Sequence, residues 1–183
     1  RQPDAALSLE SHVALGTVAL YRGDLVMAHA HLEQSLRLYD TPPPSTFRHG
    51  HDPMVMALAI MALALWGMGY ADQAQQRSQE ALALAQQGGH ALSLLFAKLF
   101  ATWFSCCRRD VAATQAYADA LMALAAQKDF ALRLEQGRLF RGWALGMQGD
   151  TAAGMTHILQ GLAVQQSVGP KLMRPYFLSL LAE

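Results

Sequence analysis

Two histidines flank a glycine in His49-Gly50-His51, with Asp52 next in line, and imidazoles at that spacing are the nearest approach to a metal-ligand set in this chain. A zinc or nickel centre needs three or four converging donors held by a second layer of hydrogen bonds, and nothing else in the sequence is tied to this stretch. Asp52 precedes Pro53, the order of a helix N-cap followed by proline at the first helical position, so Asp52 reads as a cap rather than a catalytic acid. His29 and His31 lie two apart in a helical pattern and project to different sides. Cys106 and Cys107 are the two cysteines, and adjacent residues on a helix are poorly placed for a disulfide with each other. They read as small buried residues.

Other fingerprints fail on inspection. Gly67-Met68-Gly69 opens like a dinucleotide loop, but Asp72 stands where the third glycine belongs, and no strand precedes it. There is no G-x-x-x-x-G-K-[ST] phosphate loop and no nucleophile elbow. Arg133, Arg138 and Arg141 make a basic spot, but Glu135 lies three before Arg138, which reads as a local ion pair on a solvated helix face. No catalytic, cofactor-binding or metal-ligating residue is therefore assigned, and neither cyclase nor ATPase activity is expected of this chain.

The elements that would position any site follow from a recurring turn. Arg22-Gly23-Asp24, Gly69-Tyr70-Ala71-Asp72, Arg108-Arg109-Asp110 and Gln148-Gly149-Asp150 recur with Gly23, Gly69, Arg109 and Gly149 equivalent, at intervals 69−23 = 46, 109−69 = 40 and 149−109 = 40. A period of this size marks stacked helical repeats. Small residues recur five after the anchor (Ala28, Ala74, Thr114, Gly154) and seven before it (Gly16, Ala62, Thr102, Gly142). Twelve after it come Ser35, Ala81, Leu121 and Gly161, and larger residues at offsets 13 and 15 are expected to fill the same seam. His31 and His157 share the offset of eight, which points to packing or surface duty.

The expected architecture is all-α: a right-handed α-solenoid of tetratricopeptide-like antiparallel helix pairs with a period of about 40 residues. HEAT repeats fit the length, but the small-residue and turn pattern favours tetratricopeptide units. Helices are expected near 4–21, 24–40, 53–68, 71–87, 90–107, 110–127, 130–148 and 150–168, with a ninth from about 170. That makes one domain over 1–183, with units 4–40, 53–87, 90–127 and 130–168 and a partial unit 170–183. The one irregular link, Thr41 to Asp52, carries three consecutive prolines that forbid helix.

Composition narrows the function classes. Of 183 residues, 52% are hydrophobic and 15% charged, and the formal net charge is +0, so no broad electrostatic footprint for nucleic acid or an anionic membrane exists. The longest apolar stretch, Met54 to Met68, is too short to span a bilayer comfortably, and no signal peptide is expected. A cytoplasmic setting is expected, and both ends read as cut from a longer chain.

First helices of stacked pairs line the concave side. Positions ten, six and three before the anchors supply Val13, Ala59, Leu99 and Leu139, then Thr17, Leu63, Trp103 and Trp143, then Leu20, Trp66, Cys106 and Gly146. These are expected either as ordinary core or as an apolar groove for a peptide, helix or small ligand. A second apolar stripe, Leu172, Met173, Tyr176, Phe177, Leu180 and Leu181, is expected to mediate self-association into homo-oligomers.

Several stretches carry a family resemblance: Leu32-Glu33-Gln34-Ser35-Leu36 with Tyr39-Asp40, Gly50-His51-Asp52-Pro53, Ala62-Leu63-Ala64-Leu65-Trp66 with Gly69-Tyr70, Arg141-Gly142-Trp143-Ala144-Leu145, and Arg174-Pro175-Tyr176-Phe177-Leu178. Together they resemble the C-terminal tetratricopeptide region of large bacterial signalling proteins. Those join a class III adenylate/guanylate cyclase domain, or another effector, to a signal-transduction ATPase and then to this helical array. The resemblance implies a non-catalytic interaction and sensing arm, whose partner is a protein or peptide segment, including the neighbouring ATPase of the same chain. It supplies no catalytic residues. Cys106-Cys107 and Pro42-Pro43-Pro44 depart from its pattern. A purely structural oligomerisation module and an enzyme domain are the competing expectations.

Overall fold

The computed structural model describes residues 5–39, 50–168 and 173–182. The described residues form nine α-helices and no strand. These are α1 (Ala5–Tyr21), α2 (Leu25–Leu38), α3 (Pro53–Gly67), α4 (Ala71–Gly88), α5 (Ala91–Cys107), α6 (Val111–Gln127), α7 (Ala131–Met147), α8 (Thr151–Val168) and α9 (Arg174–Leu181). Every helix expected from the sequence is present, with ends within a few residues of those expected. The tri-proline link and the Gly169-Pro170 stop lie outside the described residues.

The recurring turn is a real backbone motif. Gly23, Gly69, Arg109 and Gly149 all have positive φ, at 80°, 90°, 60° and 96°. In each, the anchor N–H donates three residues back and the next N–H donates five back, as in Gly23 N to Leu20 O and Asp24 N to Ala19 O, both 3.0 Å. This is the Schellman closure, which satisfies carbonyls that a helix end leaves open. Arg109 adopts the left-handed conformation without glycine's freedom, so the alignment of an arginine with three glycines is a backbone equivalence. Asp129, at φ 57°, makes a fifth such turn between α6 and α7, with Phe130 N donating to Ala125 O. Asp24 and Asp110 then cap the following helices, accepting from Met27 N and Ala113 N.

Helices pack on their sequence neighbours. The chain divides into two compact units, Arg1–Phe100 and Ala101–Glu183. In the first, α1 packs on α2 and α3, and α3 also packs on α2 and α4. Helix α3 is buried on all sides from Val55 to Leu65, which explains its unbroken apolar run. No helix among the described residues is long and apolar enough to cross a membrane. Asp52 caps α3 through Met54 N at 2.8 Å, accepts the Tyr39 hydroxyl at 3.2 Å, and donates its own N–H to Ser93 Oγ at 2.8 Å. That burial and the Asp52 carboxylate push the Tyr39 hydroxyl well above the ordinary phenol range.

In the second unit α6 packs on α7, α7 on α8, and α9 on both α8 and α7. The small residues expected at helix contacts are buried throughout: Gly16, Ala62, Thr102 and Gly142 before the anchors, and Ala28, Ala74, Thr114 and Gly154 after them. The larger residues at offsets 13 and 15 fill the seam in part: Leu162 is buried, Leu82 and Leu84 pack on the core of Val55, Ala85 and Ala97, and Met122 lies against Gly137. Leu36, Leu82, Met122 and Leu124 are half-buried, and the most deeply buried line runs through offsets 5, 9, 12 and 16. Offset 9 supplies Leu32, Ser78, Ala118 and Ile158, and offset 16 supplies Ala85 and Ala125, all buried. Steps of four, three and four follow the 3.6-residue turn, and offset 13, next to 12, lies at the edge of that line.

Candidate functional site

The most site-like region lies on the seam of α7 and α8. Gly142 and Gly154 bring the two backbones together, and a Cβ on Gly154 would sit 2.6 Å from the Gly142 carbonyl oxygen. Beside that contact, between α7, α8 and α9, opens a cavity of about 110 Å³. Trp143 and Ile158 wall it, Leu180 and Leu181 close it from α9, and Met147 and Met155 stand half-exposed at its rim. Gly146 also lines it, and a Cβ there would meet nothing within 4 Å. Of its lining side chains only Thr151 carries a hydroxyl and none is charged, so the space is suited to an apolar group. Trp143 is 2% exposed, and the Arg109 guanidinium lies 5.7 Å from its ring centroid.

A polar cluster occupies α6, α7 and α8 nearby. Glu135 is only 7% exposed; its Oε1 accepts from Arg138 at 2.9 Å while its Oε2 is buried with no hydrogen-bond partner. The ion pair read from the sequence is therefore present, but the face is not solvated, since Glu135 and Gln136 are both buried. Arg141 Nε lies 3.2 Å from Asp119 Oδ1 as an ion pair, with its N–H not aimed to form a proper hydrogen bond. His157 Nδ1 is buried without a partner. Burial, and then the Arg141 and Arg138 charges, hold the His157 imidazole below its ordinary value, against a smaller opposing pull from Asp119. His157 precedes Ile158 of the cavity wall, so this cluster flanks the cavity.

The residues expected to line a groove fall mostly inside helix contacts. In the first unit Val13, Ala59, Leu63 and Leu99 are buried, while Thr17, Leu20 and Trp66 are half-buried. The Thr17 hydroxyl is turned back to the Val13 carbonyl at 2.7 Å. In the second unit Leu139 and Trp143 are buried and Trp103 is half-buried, its ring 5.5 Å from that of Tyr176. Of the expected positions, Trp143 and Gly146 line the cavity.

The α9 stripe turns into its own chain. Met173, Phe177 and Leu180 are buried, Tyr176 and Leu181 half-buried, and Leu172 lies outside the described residues. Phe177 meets Phe140 edge to face at 5.1 Å. A contact through these residues with another copy would require α9 to leave α7 and α8. Cys106 and Cys107 form no disulfide; Cys107 Sγ lies 3.8 Å from the Tyr176 hydroxyl, and burial pushes both groups upward, so the Cys107 thiol stays protonated and poorly nucleophilic. Among the described residues no group of three or more His, Cys, Asp or Glu side chains converges for a metal. His51 packs on the Phe96 ring at 5.0 Å.

One relationship escaped the sequence reading. His12 Nδ1 and His31 Nδ1 lie 3.0 Å apart across α1 and α2. The signal was available: 23−12 = 11 and 31−23 = 8, and the fourth hairpin repeats these offsets as 149−138 = 11 and 157−149 = 8, placing Arg138 near His157. No protein-family model matches the chain, and no curated protein matches it.

Proposed function

We propose that this chain is a non-catalytic interaction domain that captures an apolar side chain of a partner segment in the α7–α8–α9 cavity. The fuller form of the proposal is a tetratricopeptide-like solenoid serving as the sensing arm of a bacterial signal-transduction ATPase or cyclase regulator. The cavity itself carries the reading. Its volume of about 110 Å³ is well below the several hundred Å³ of pockets that enclose whole small molecules, and suits one leucine- or methionine-sized group. Flexible, exposed Met147 and Met155 can adapt to different occupants. Arg138 and Arg141, both partly exposed on the same helix, supply polar contacts beside the anchor.

A random-peptide library selected on the intact chain, and again on Gly146→Leu, tests this. The new side chain enters the cavity from a position where its Cβ meets nothing. Selected peptides should share an apolar residue and bind Gly146→Leu at least tenfold more weakly. Equal binding to both proteins removes the cavity from consideration.

A self-association module is favoured by a different observation. Leu7, Leu15 and Val18 form an exposed apolar line on α1. A monomer by light scattering at tens of micromolar, roughly the range of a weak complex, would count against it.

A further inference from the structure

We propose that His12 and His31 form a two-imidazole binding site for a first-row divalent cation of the Zn²⁺, Ni²⁺ and Cu²⁺ group. The two Nδ1 atoms face each other at 3.0 Å and the ring centroids lie 5.2 Å apart, with both rings half-buried. At metal–nitrogen bonds of about 2.0–2.1 Å, two imidazoles at right angles stand about 2.9 Å apart and at the tetrahedral angle about 3.4 Å. The observed spacing falls at the right-angle end, so small ring rotations suffice to turn both lone pairs onto one cation.

The backbone holds the pair in register. A Cβ on Gly16 would lie 2.6 Å from Leu32 Cγ and 3.2 Å from the Ala28 carbonyl oxygen, so α1 and α2 are in close contact one turn from the histidines. Donors carried on packed helices are placed more narrowly than donors on loops. The juxtaposition belongs to the hairpin frame, since the same two offsets bring Arg138 and His157 together in the fourth hairpin. In the second and third hairpins those offsets carry Leu58 with Arg77 and Lys98 with Tyr117, so the nitrogen-donor pair is specific to the first.

Without a cation, one Nδ1–H donates to the other Nδ1. Binding moves that proton to the far nitrogen of its own ring, through solvent, and leaves both Nδ1 atoms as donors. A neutral pair thus binds with no net proton release. Imidazole nitrogen selects zinc, nickel and copper over magnesium and calcium; two protein donors make a weaker, exchangeable site than the three or four of a built-in metal centre, and water completes the coordination.

Calorimetric titration of the full chain with ZnCl₂ and NiCl₂ is the test, on wild type, His12→Ala, His31→Ala, His29→Ala and His51→Ala. One cation per chain is expected. Affinity should fall at least tenfold in His12→Ala and His31→Ala, and stay within twofold in His29→Ala and His51→Ala. Unchanged affinity in either of the first two overturns the proposal. Because those variants could lose α1–α2 packing, the wild type is also read directly: Cu²⁺ electron paramagnetic resonance should show coupling to two imidazole nitrogens. Coupling to fewer than two overturns the proposal whatever the variants do.

Discussion

Gly142 and Gly154 face one another across the α7–α8 seam so closely that neither has room for a methyl group. A Cβ on Gly142 would lie 2.7 Å from the Gly154 carbonyl oxygen, and one on Gly154 would lie 2.6 Å from the Gly142 carbonyl oxygen. Four residues along α7, Gly146 has open space on the cavity side. Gly154→Ala should therefore destabilise by about 1–3 kcal/mol through overpacking. Gly146→Ala should instead stabilise by about 0.5–1 kcal/mol, the ordinary gain of alanine over glycine in a helix. Urea unfolding of both variants checks the pair; equal shifts would show that the seam is looser than described.

The turn at Arg109 offers a different contrast. A non-glycine residue in the left-handed region carries strain of roughly 1–2 kcal/mol. Arg109→Gly relieves it but gives up the contact with Trp143 and gains unfolded-chain freedom, so a rise of at most about 1 kcal/mol is expected. Gly149→Ala at φ 96° should lose roughly 1–2 kcal/mol. Thermal unfolding of the two variants should move in opposite directions, or Arg109→Gly should stay level.

Phe177 is fully buried against Phe140, while Leu178 beside it is exposed. Phe177→Ala should cost about 3–5 kcal/mol. Leu178→Ala should fall within about 0.5 kcal/mol of wild type. If chemical denaturation ranks them the other way, α9 is turned outward rather than inward.

His157 makes stability depend on acid. Its imidazole is held below the ordinary value, so the unfolded chain binds the proton first. This contribution is fully present above about pH 6.5, the ordinary imidazole value, and is lost as pH falls below it. His157→Gln should flatten the decline in stability between pH 7 and pH 5, measured by denaturant midpoint. A variant that declines as steeply as wild type would place the acid sensitivity elsewhere.

Helix positions were legible because local rules agree: Asp24, Asp52 and Asp110 cap helices, and the glycine turns end them. The turn equivalence of Arg109 was legible only through spacing, since its residue type argues against it. The cavity was not legible. It depends on Gly146 lacking a neighbour that Gly142 and Gly154 both have, and the three glycines look alike in one dimension. Ion pairing of Glu135 was legible; its burial was not, because it depends on how α7 packs against α6 and α8 and not on the spacing within α7.

The Cys107–Tyr176 contact joins residues 69 apart, whereas most helix packing here links sequence neighbours. Neighbour contacts close short loops quickly, and closing a long one costs more chain entropy. Within the second unit the α6–α7 and α7–α8 hairpins can therefore form as soon as their residues leave the ribosome. Docking of α9, with Tyr176 returning to Trp103 and Cys107, must wait until α9 itself has been made. Among the described helices of this unit, α9 is therefore placed after the hairpins it docks on, and its smaller contact with them makes it the easier one to release.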